Sequence, residues 1–176
     1  MCGGTTKNKI AAVVADLLRT QPVGKITVQQ VMELTQMNRQ SFYYHYQDIR
    51  DVLEWIVLSD FAAPLQYDPE EPLDEWCRKA LTLVNTRHQV LRRISQELGS
   101  ERMYALTACV FRPQVERIMP EHPDCAAQRA LAVETLSRGI FCSVNDMLLR
   151  CTPVNVEQSM QRLQILAVCL RPGHNV

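Results

Sequence analysis

Several features are scarce in this chain of 176 residues. It has only six glycines, 6% aromatic residues and no net charge, because 19 basic side chains balance 19 acidic ones. This composition is typical of globular proteins and excludes a disordered, collagen-like or low-complexity chain. A chain of this length buries roughly 70% of its unfolded surface, so it needs no disulfide or metal to fold. Zero net charge also argues against a chain that is basic throughout, the simplest kind of nucleic-acid binder.

Cysteine spacing and hydropathy exclude further classes. The seven cysteines are widely spaced and include no Cys-x-x-Cys pair, and the first six residues contain no apolar signal segment. These features predict reduced thiols, a cytoplasmic location and no metal site. No apolar run approaches the roughly 18 to 20 residues of a membrane span, so we predict no membrane partner.

Helical periodicity recurs along the chain, whereas clean strand alternation does not. We therefore predict an all-α fold of about nine helices. The first of them contains Ile10, Val14 and Leu18 on one apolar face. Pro113 should kink or split a later helix, and Gly99 marks a stop between two helices. The predicted helices cover approximately residues 6–20, 28–35, 39–46, 48–63, 73–98 in one or two pieces, 101–119, 126–151 and 156–170.

The last two predicted helices have wide apolar faces with alternating steps of four and three residues. Faces of this width either pack entirely within their own domain or leave surface for a second copy of the chain, and periodicity leaves both readings open. The candidate dimer interface comprises Val133, Ile140, Val144, Met147, Met160, Leu163 and Ala167.

The most informative segment is residues 27–46, which predicts two short helices joined by a tight turn at residues 35–38. This is the arrangement of a helix-turn-helix, whose second helix enters the DNA major groove. That second helix begins with Arg39 and Gln40, the side-chain types that best read guanine and adenine. Phe42 and Tyr46 lie four residues apart and should face the core. Polar tips of the intervening aromatic residues can contact phosphates, which set register without reading sequence.

The stretch from Asn38 to Tyr46, with its polar start followed by Ser, Phe, Tyr, Tyr, His and Tyr, resembles the signature of TetR-family (tetracycline-repressor-like) regulators. The likeness includes the segment that begins at Thr27, and the strong match covers about the first 60 residues. The string through Ile56 is most similar to the branch that includes activators of dihydroxyacetone kinase operons. The resemblance implies an N-terminal DNA-binding domain at residues 1–50, a connecting helix at 48–63, and a helical regulatory and dimerisation domain at 51–176.

The resemblance also implies roles for individual residues. Thr27 should cap the second helix and touch a phosphate, the start of the recognition helix should read bases, and the aromatic residues after it should grip the backbone. The candidate DNA-binding residues are Thr27, Gln29, Asn38, Arg39, Gln40, Ser41, Tyr43, Tyr44, His45 and Arg50.

Two positions depart from the family pattern. Gln36 stands where the turn usually has glycine, and a left-handed residue there costs roughly 1 kcal/mol without glycine. The turn is therefore either strained or differently shaped. Ile49 stands where the family usually offers a lysine to phosphate. Either Arg50 substitutes for that lysine or DNA binding is weaker.

Two regulatory hypotheses follow from the resemblance. In the first, a homodimer binds a palindromic double-stranded operator as a repressor and is released by a small-molecule effector in the C-terminal domain. In the second, the chain is a DNA-bound activator or co-activator controlled by a partner protein. The aromatic residues that either line a ligand pocket or simply pack in the core are Trp55, Trp76, Tyr104, Phe111 and Phe141.

No enzyme signature accompanies these features. The chain has no Gly-rich phosphate loop, no Gly-x-Ser-x-Gly and no His-Glu-x-x-His, so we predict neither catalysis nor a cofactor.

The distribution of charge changes the meaning of the zero total. Residues 1–50 hold six basic side chains against three acidic ones, whereas the remaining residues hold 13 basic against 16 acidic. The small positive charge of residues 1–50 suits contact with phosphates. The small negative charge of the remaining residues suits a domain held away from the DNA. The surplus of three positive charges in residues 1–50 predicts a modest affinity for DNA that depends strongly on salt.

Overall fold

The computed structural model describes residues 3–119, 126–150 and 155–161. Within these ranges the regular structure is entirely helical, which confirms the all-α prediction. None of the described helices is long and apolar enough to cross a membrane. The α-helices are α1 Gly3–Thr20, α2 Val28–Thr35, α3 Arg39–His45, α4 Ile49–Ile56, α5 Leu73–Thr86, α6 His88–Leu98, α7 Ser100–Ile118, α8 Ala126–Leu149 and α9 at residues 156–161.

Proline and glycine act differently along the chain. The segment after α4 continues as a π-helix at Val57–Ala62 and a 3-10 helix at Ala63–Leu65, so the predicted helix 48–63 changes hydrogen-bond pattern as it approaches Pro64. Gly99, at φ +80°, separates α6 from α7 in a left-handed conformation that glycine adopts without strain.

Pro113 lies inside α7, which runs unbroken through it, so the predicted split is wrong. Buried residues on both sides of Pro113, such as Val110 and Val115, hold the helix together despite one missing hydrogen bond.

The chain packs as two compact units. Unit 1 comprises the residues up to Pro64 together with Gln89–Leu106, and unit 2 comprises Leu65–His88 and the residues from Thr107 onward. This division by packing differs from the functional boundary after residue 50, which stays a prediction.

Unit 1 is built on the apolar faces that periodicity predicted. Ile10, Val14 and Leu18 of α1 are fully buried, as are Val52 and Leu53 of α4. Burying each such side chain contributes about 1.5–3 kcal/mol, so the core of unit 1 gives α3 a rigid support.

Polar contacts from distant residues fix the helices of unit 1. Arg93 of α6 donates from Nη1 to the carbonyl oxygens of Leu18 (2.6 Å) and Gln21 (2.7 Å), which the end of α1 leaves without helical partners. Arg102 of α7 donates to both carboxylate oxygens of Glu54 on α4, from Nε at 2.7 Å and from Nη2 at 2.5 Å. These contacts tie α6 and the start of α7 to the helices that carry α3.

Unit 2 has an aromatic core. Trp76 of α5 and Phe141 of α8 each meet Phe111 of α7 edge-on, with ring centroids 6.2 Å apart in both pairs. The Trp76 indole N–H donates to the carbonyl oxygen of Leu65 at 3.0 Å, so its polar end is satisfied.

Contacts along α7 and α8 define their relative direction. Arg112 of α7 pairs with Glu134 of α8 at 3.6 Å, and Arg129 of α8 donates to the Glu116 carbonyl oxygen at 2.9 Å. Later residues of α7 thus meet earlier residues of α8, so the two helices run antiparallel.

Candidate nucleic-acid interface

The turn between α2 and α3 has a defined left-handed geometry. Gln36 has φ 56° and ψ 35°, and its N–H donates to the Glu33 carbonyl oxygen at 3.3 Å. The Met37 N–H reaches back to the Met32 carbonyl oxygen at 3.1 Å, which completes a Schellman motif. Of the two readings left open by the sequence, the turn keeps the usual shape and Gln36 bears the strain.

The start of α3 is set by Asn38. Its side-chain oxygen accepts the Ser41 N–H at 2.8 Å and the Ser41 hydroxyl at 3.0 Å. Because this oxygen satisfies the first turn of the helix, the amide nitrogen is the part of Asn38 that remains for another partner. Asn38 therefore positions α3, and Ser41 is occupied by the same contact.

The outward face of α3 brings four of the predicted residues together. Arg39 and Gln40 are exposed, and Tyr43 and Tyr44 expose 57% and 83% of their surfaces. Positions i, i+1, i+4 and i+5 lie next to each other on one side of a helix, so these four side chains form a continuous surface. Neither Arg39 nor Gln40 has a hydrogen-bonding partner among the described residues, so both can approach a ligand without breaking a contact.

The inward face of α3 anchors the helix. Phe42 is fully buried and Tyr46 is 2% exposed, as the sequence predicted. The Tyr46 hydroxyl donates to the Lys7 carbonyl oxygen at 3.0 Å. Burial, and secondarily the Asp51 carboxylate, raise the pKa of Tyr46, so its hydroxyl remains protonated. The Lys7 ammonium lies 3.6 Å from the centre of the Trp55 ring, which joins α1 to α4.

Most of the remaining candidate residues have partners within their own helix. Thr27 caps α2 by accepting the Gln30 N–H at 3.1 Å. Gln29, on the first turn of α2, donates to Glu33 at 3.0 Å, so its amide nitrogen must leave that carboxylate to reach a phosphate. His45 is half-buried and meets the Tyr44 ring edge-on at 4.9 Å.

Arg50 is exposed on the first turn of α4, beside the half-buried Ile49. Asp48 caps this helix by accepting the Asp51 N–H at 2.9 Å, and Asp51 accepts the Gln47 N–H at 3.1 Å. The two bonds fix the first turn of α4, on which Arg50 stands. The DNA-binding roles of all these residues remain predictions.

The residues that position this surface are the ones that sequence reasoning missed. Lys7 contacts Tyr46, which is 39 residues away in the sequence. Arg93 contacts Leu18 and Gln21, which are about 75 residues away. Local periodicity carries no signal of such contacts. The only hint in the sequence is that both are basic residues within otherwise amphipathic helices.

The predicted pocket residues do not form one group. Trp76, Phe111 and Phe141 meet in the core of unit 2, whereas Trp55 and Tyr104 belong to unit 1. Trp55 is half-buried against Lys7, so the structure gives it a role in holding α1 on α4 rather than in a shared pocket.

The predicted dimer residues also divide. Val133 and Met160 are 1% and 4% exposed, so they are core residues of a single chain and do not form a free face. Ile140, Val144 and Met147 are half-buried on α8. Leu163 and Ala167 lie outside the described residues.

Comparisons with known proteins add findings of two kinds, on sequence and on fold. No family model matches the chain. The chain is 33% identical over 57 residues to the HTH-type dhaKLM operon transcriptional activator DhaS of Lactococcus lactis subsp. lactis (strain IL1403). That match covers 32% of this chain and only 30% of the relative.

The second finding concerns the fold. A solved structure named Dihydroxyacetone kinase operon activator DhaS superposes with a TM-score of 0.72 at 15% sequence identity, over 93% of this chain and 94% of that one. At this identity the likeness establishes architecture alone. This chain therefore shares the all-helical fold of that activator.

Proposed function

We propose that this protein is a DNA-binding transcription regulator of the TetR-like type and that α3 is its recognition helix. The observation that carries the proposal is the outward face of α3, where Arg39, Gln40, Tyr43 and Tyr44 are exposed on a helix fixed by the Asn38 cap and the buried Phe42. A short, rigid helix with polar leading residues is what the DNA major groove accepts. The name of the relative with which the chain shares 33% identity over 57 residues, a helix-turn-helix activator, supports the same conclusion.

Each part of the surface has its own chemistry in this proposal. Arg39 presents parallel N–H groups that match the O6 and N7 acceptors of guanine, and Gln40 presents the donor–acceptor pair that matches adenine. The hydroxyls of Tyr43 and Tyr44, together with Arg50, contact phosphates on either side of the groove and set the register. Thr27, Gln29 and His45 add phosphate contacts at the edges.

A homodimer makes this surface specific. Two copies of α3 placed about 34 Å apart enter successive major grooves of a palindromic operator. Ile140, Val144 and Met147 support a contact between copies of α8, because they share one side of that helix and stay only half-buried in a single chain. Val144→Glu should convert the dimer to a folded monomer in sedimentation, with an unchanged circular dichroism spectrum as the check on folding.

The sign of regulation has two candidate answers. The resemblance to TetR-family regulators implies repression relieved by a small molecule. The names of both matched proteins describe operon activators and favour activation, which is the sign of regulation in the second hypothesis. A reporter placed downstream of the bound operator distinguishes them, since deletion of the regulator raises expression under the first hypothesis and lowers it under the second. The same names describe regulators, which supports a non-enzymatic role.

The experiment that tests DNA binding is selection from a library of random duplexes. The wild-type protein should enrich an inverted repeat whose half-sites contain guanine next to adenine. The double variant with Arg39→Ala and Gln40→Ala should enrich nothing. The same pair of changes at exposed Gln128 of α8 and at exposed Arg150, just after α8, should leave selection intact. Recovery of the same repeat by the Arg39 and Gln40 variant would refute the role of α3.

A further inference from the structure

Residues 1–50 contain six basic side chains, and two of them are already engaged within the chain. The Lys7 ammonium lies 3.6 Å from the centre of the Trp55 ring. The Arg19 guanidinium lies 3.7 Å from the Asp16 carboxylate on the same helix. The basic residues that are exposed and whose side chains have no partner among the described residues are Lys9, Lys25, Arg39 and Arg50. Two of these four belong to the candidate DNA surface of α3 and α4, whereas two lie outside it.

The backbone that carries Lys25 is fixed by contacts at both ends of the segment between α1 and α2. Lys25 ends a 3-10 turn at Val23–Lys25, and its N–H donates to the Pro22 carbonyl oxygen at 3.1 Å. At the start of the segment, Arg93 of α6 donates to the Gln21 carbonyl oxygen at 2.7 Å. An exposed ammonium is therefore presented on a backbone that the rest of unit 1 holds in place.

Lys25 and Thr27 lie on the same side of an extended stretch of backbone. Ile26 has φ −88° and ψ 121°, and Thr27 has φ −113° and ψ 150°. Side chains of extended backbone alternate between two sides. Ile26 is 6% exposed and faces the core, whereas Lys25 and Thr27 are exposed. Two extended residues span at most about 7 Å, so the flexible Lys25 side chain reaches a phosphate that touches Thr27 or the next one along the strand.

We propose that the segment between α1 and α2 is a further phosphate-binding element of the DNA interface, with Lys25 as its contact residue. This inference rests on the proposed function, because it adds a contact to the same duplex. The Thr27 hydroxyl oxygen accepts the Gln30 N–H at 3.1 Å, so its proton is still available to a phosphate oxygen. Lys25 adds a full positive charge beside this neutral contact, and the phosphate backbone attracts that charge whatever the base sequence.

The contact predicts a definite dependence of DNA affinity on salt. Each lysine that binds a phosphate releases counterions and contributes about 0.9 to the slope of log affinity against log salt concentration. Lys25→Gln should therefore make that slope less steep by about 0.9 per bound chain. The ratio of wild-type to variant affinity should fall about threefold per bound chain between about 50 and 200 mM salt.

Two further properties should distinguish Lys25 from a base-reading or a structural residue. Lys25→Gln should weaken binding to the selected duplex and to a scrambled duplex by the same factor, because phosphates carry no sequence information. The melting temperature of the free protein should stay unchanged, because the exposed Lys25 side chain has no partner in the part of the chain that the structure describes.

Fluorescence anisotropy with a duplex of random sequence, measured at several salt concentrations, tests the proposal. Lys9→Gln is the matched control, because Lys9 is an exposed lysine of α1 and its replacement removes the same charge from the same unit. Lys9→Gln should change the salt slope much less than Lys25→Gln does. In a second series on the selected duplex, one phosphate at a time is replaced by a neutral methylphosphonate. Replacement of the phosphate that Lys25 contacts should weaken the wild type more than it weakens Lys25→Gln.

Several results would overturn the proposal while leaving DNA binding intact. They are a salt slope of Lys25→Gln equal to that of the wild type, equal changes in Lys25→Gln and Lys9→Gln, and a loss of affinity confined to the selected duplex. A methylphosphonate series in which the wild type and Lys25→Gln respond alike at every phosphate would also overturn it. A wild-type chain that binds neither the random nor any selected duplex would instead refute the proposed function, and the phosphate contact with it.

Discussion

Replacement of Gln36 by glycine should make the protein more stable without altering its fold. Gln36 is the one described residue other than glycine with a positive φ, at 56°, and it closes the turn between α2 and α3. Its side chain is exposed and takes no part in the Schellman hydrogen bonds, which use backbone atoms alone. The substitution therefore removes a strained side chain and leaves every contact of the turn in place.

The magnitude follows from two opposing effects. A residue with a Cβ atom loses roughly 1–2 kcal/mol in the left-handed region, and glycine avoids this cost. Glycine in turn has more freedom in the unfolded chain, which offsets roughly 0.5–1 kcal/mol of the gain. Gln36→Gly should thus raise the free energy of unfolding by about 0.5–1 kcal/mol and the melting temperature by about 1–4 °C.

Urea denaturation followed by circular dichroism measures this difference. Gln29→Gly is the matched control, because Gln29 is an exposed glutamine within α2, where glycine should cost about 1 kcal/mol. The two variants should therefore shift the midpoint in opposite directions, with unchanged m-values. If Gln36→Gly destabilises the chain as much as Gln29→Gly does, the turn is not left-handed and the geometry that leads into α3 must be revised.

Three further outcomes are expected. Arg93→Met should lower the free energy of unfolding by about 1.5–3 kcal/mol in urea denaturation, because two carbonyl oxygens at the end of α1 lose their charged donor. An unchanged midpoint of denaturation would contradict this. Burial, and secondarily Asp74, raise the pKa of the Cys77 thiol to about 11. The folded state therefore keeps a proton that the unfolded state loses, and stability should fall as the pH rises from about 8.5 to about 11. Cys77→Ala should flatten that decline in a pH series of melting curves, and an equal slope would argue against a buried thiol. Tyr44→Phe should weaken binding to specific and scrambled duplexes alike in fluorescence anisotropy, and a loss confined to the specific duplex would assign Tyr44 to base reading.

The helix-turn-helix was predictable from sequence because its determinants are local. The Asn38 cap lies three residues from the N–H it accepts, and the buried Phe42 and Tyr46 are one helical turn apart. The bounds of α2 were predicted without error, and α3 ends one residue earlier than expected. Caps and apolar periodicity act over one or two turns, which is the range that a sequence pattern reports.

The supports of this motif were not predictable, because they join residues that are distant in sequence. Arg93 reaches the end of α1 across more than 70 residues, and Lys7 stacks on Trp55. Aromatic residue type alone did not separate Trp55, a support of unit 1, from Trp76 in the core of unit 2. The burial of Val133 was not predictable for a related reason, since periodicity identifies an apolar face but does not say whether its own chain covers it.

The most direct test of the central claim is the affinity of Arg39→Ala for the duplex recovered by selection. Fluorescence anisotropy should show a loss of about 1–3 kcal/mol on the selected duplex and a much smaller loss on a scrambled one. Arg112→Ala, at an exposed arginine on α7 of unit 2, should bind both duplexes as the wild type does. Equal losses on the selected and scrambled duplexes, or equal effects of the two substitutions, would contradict sequence reading by α3.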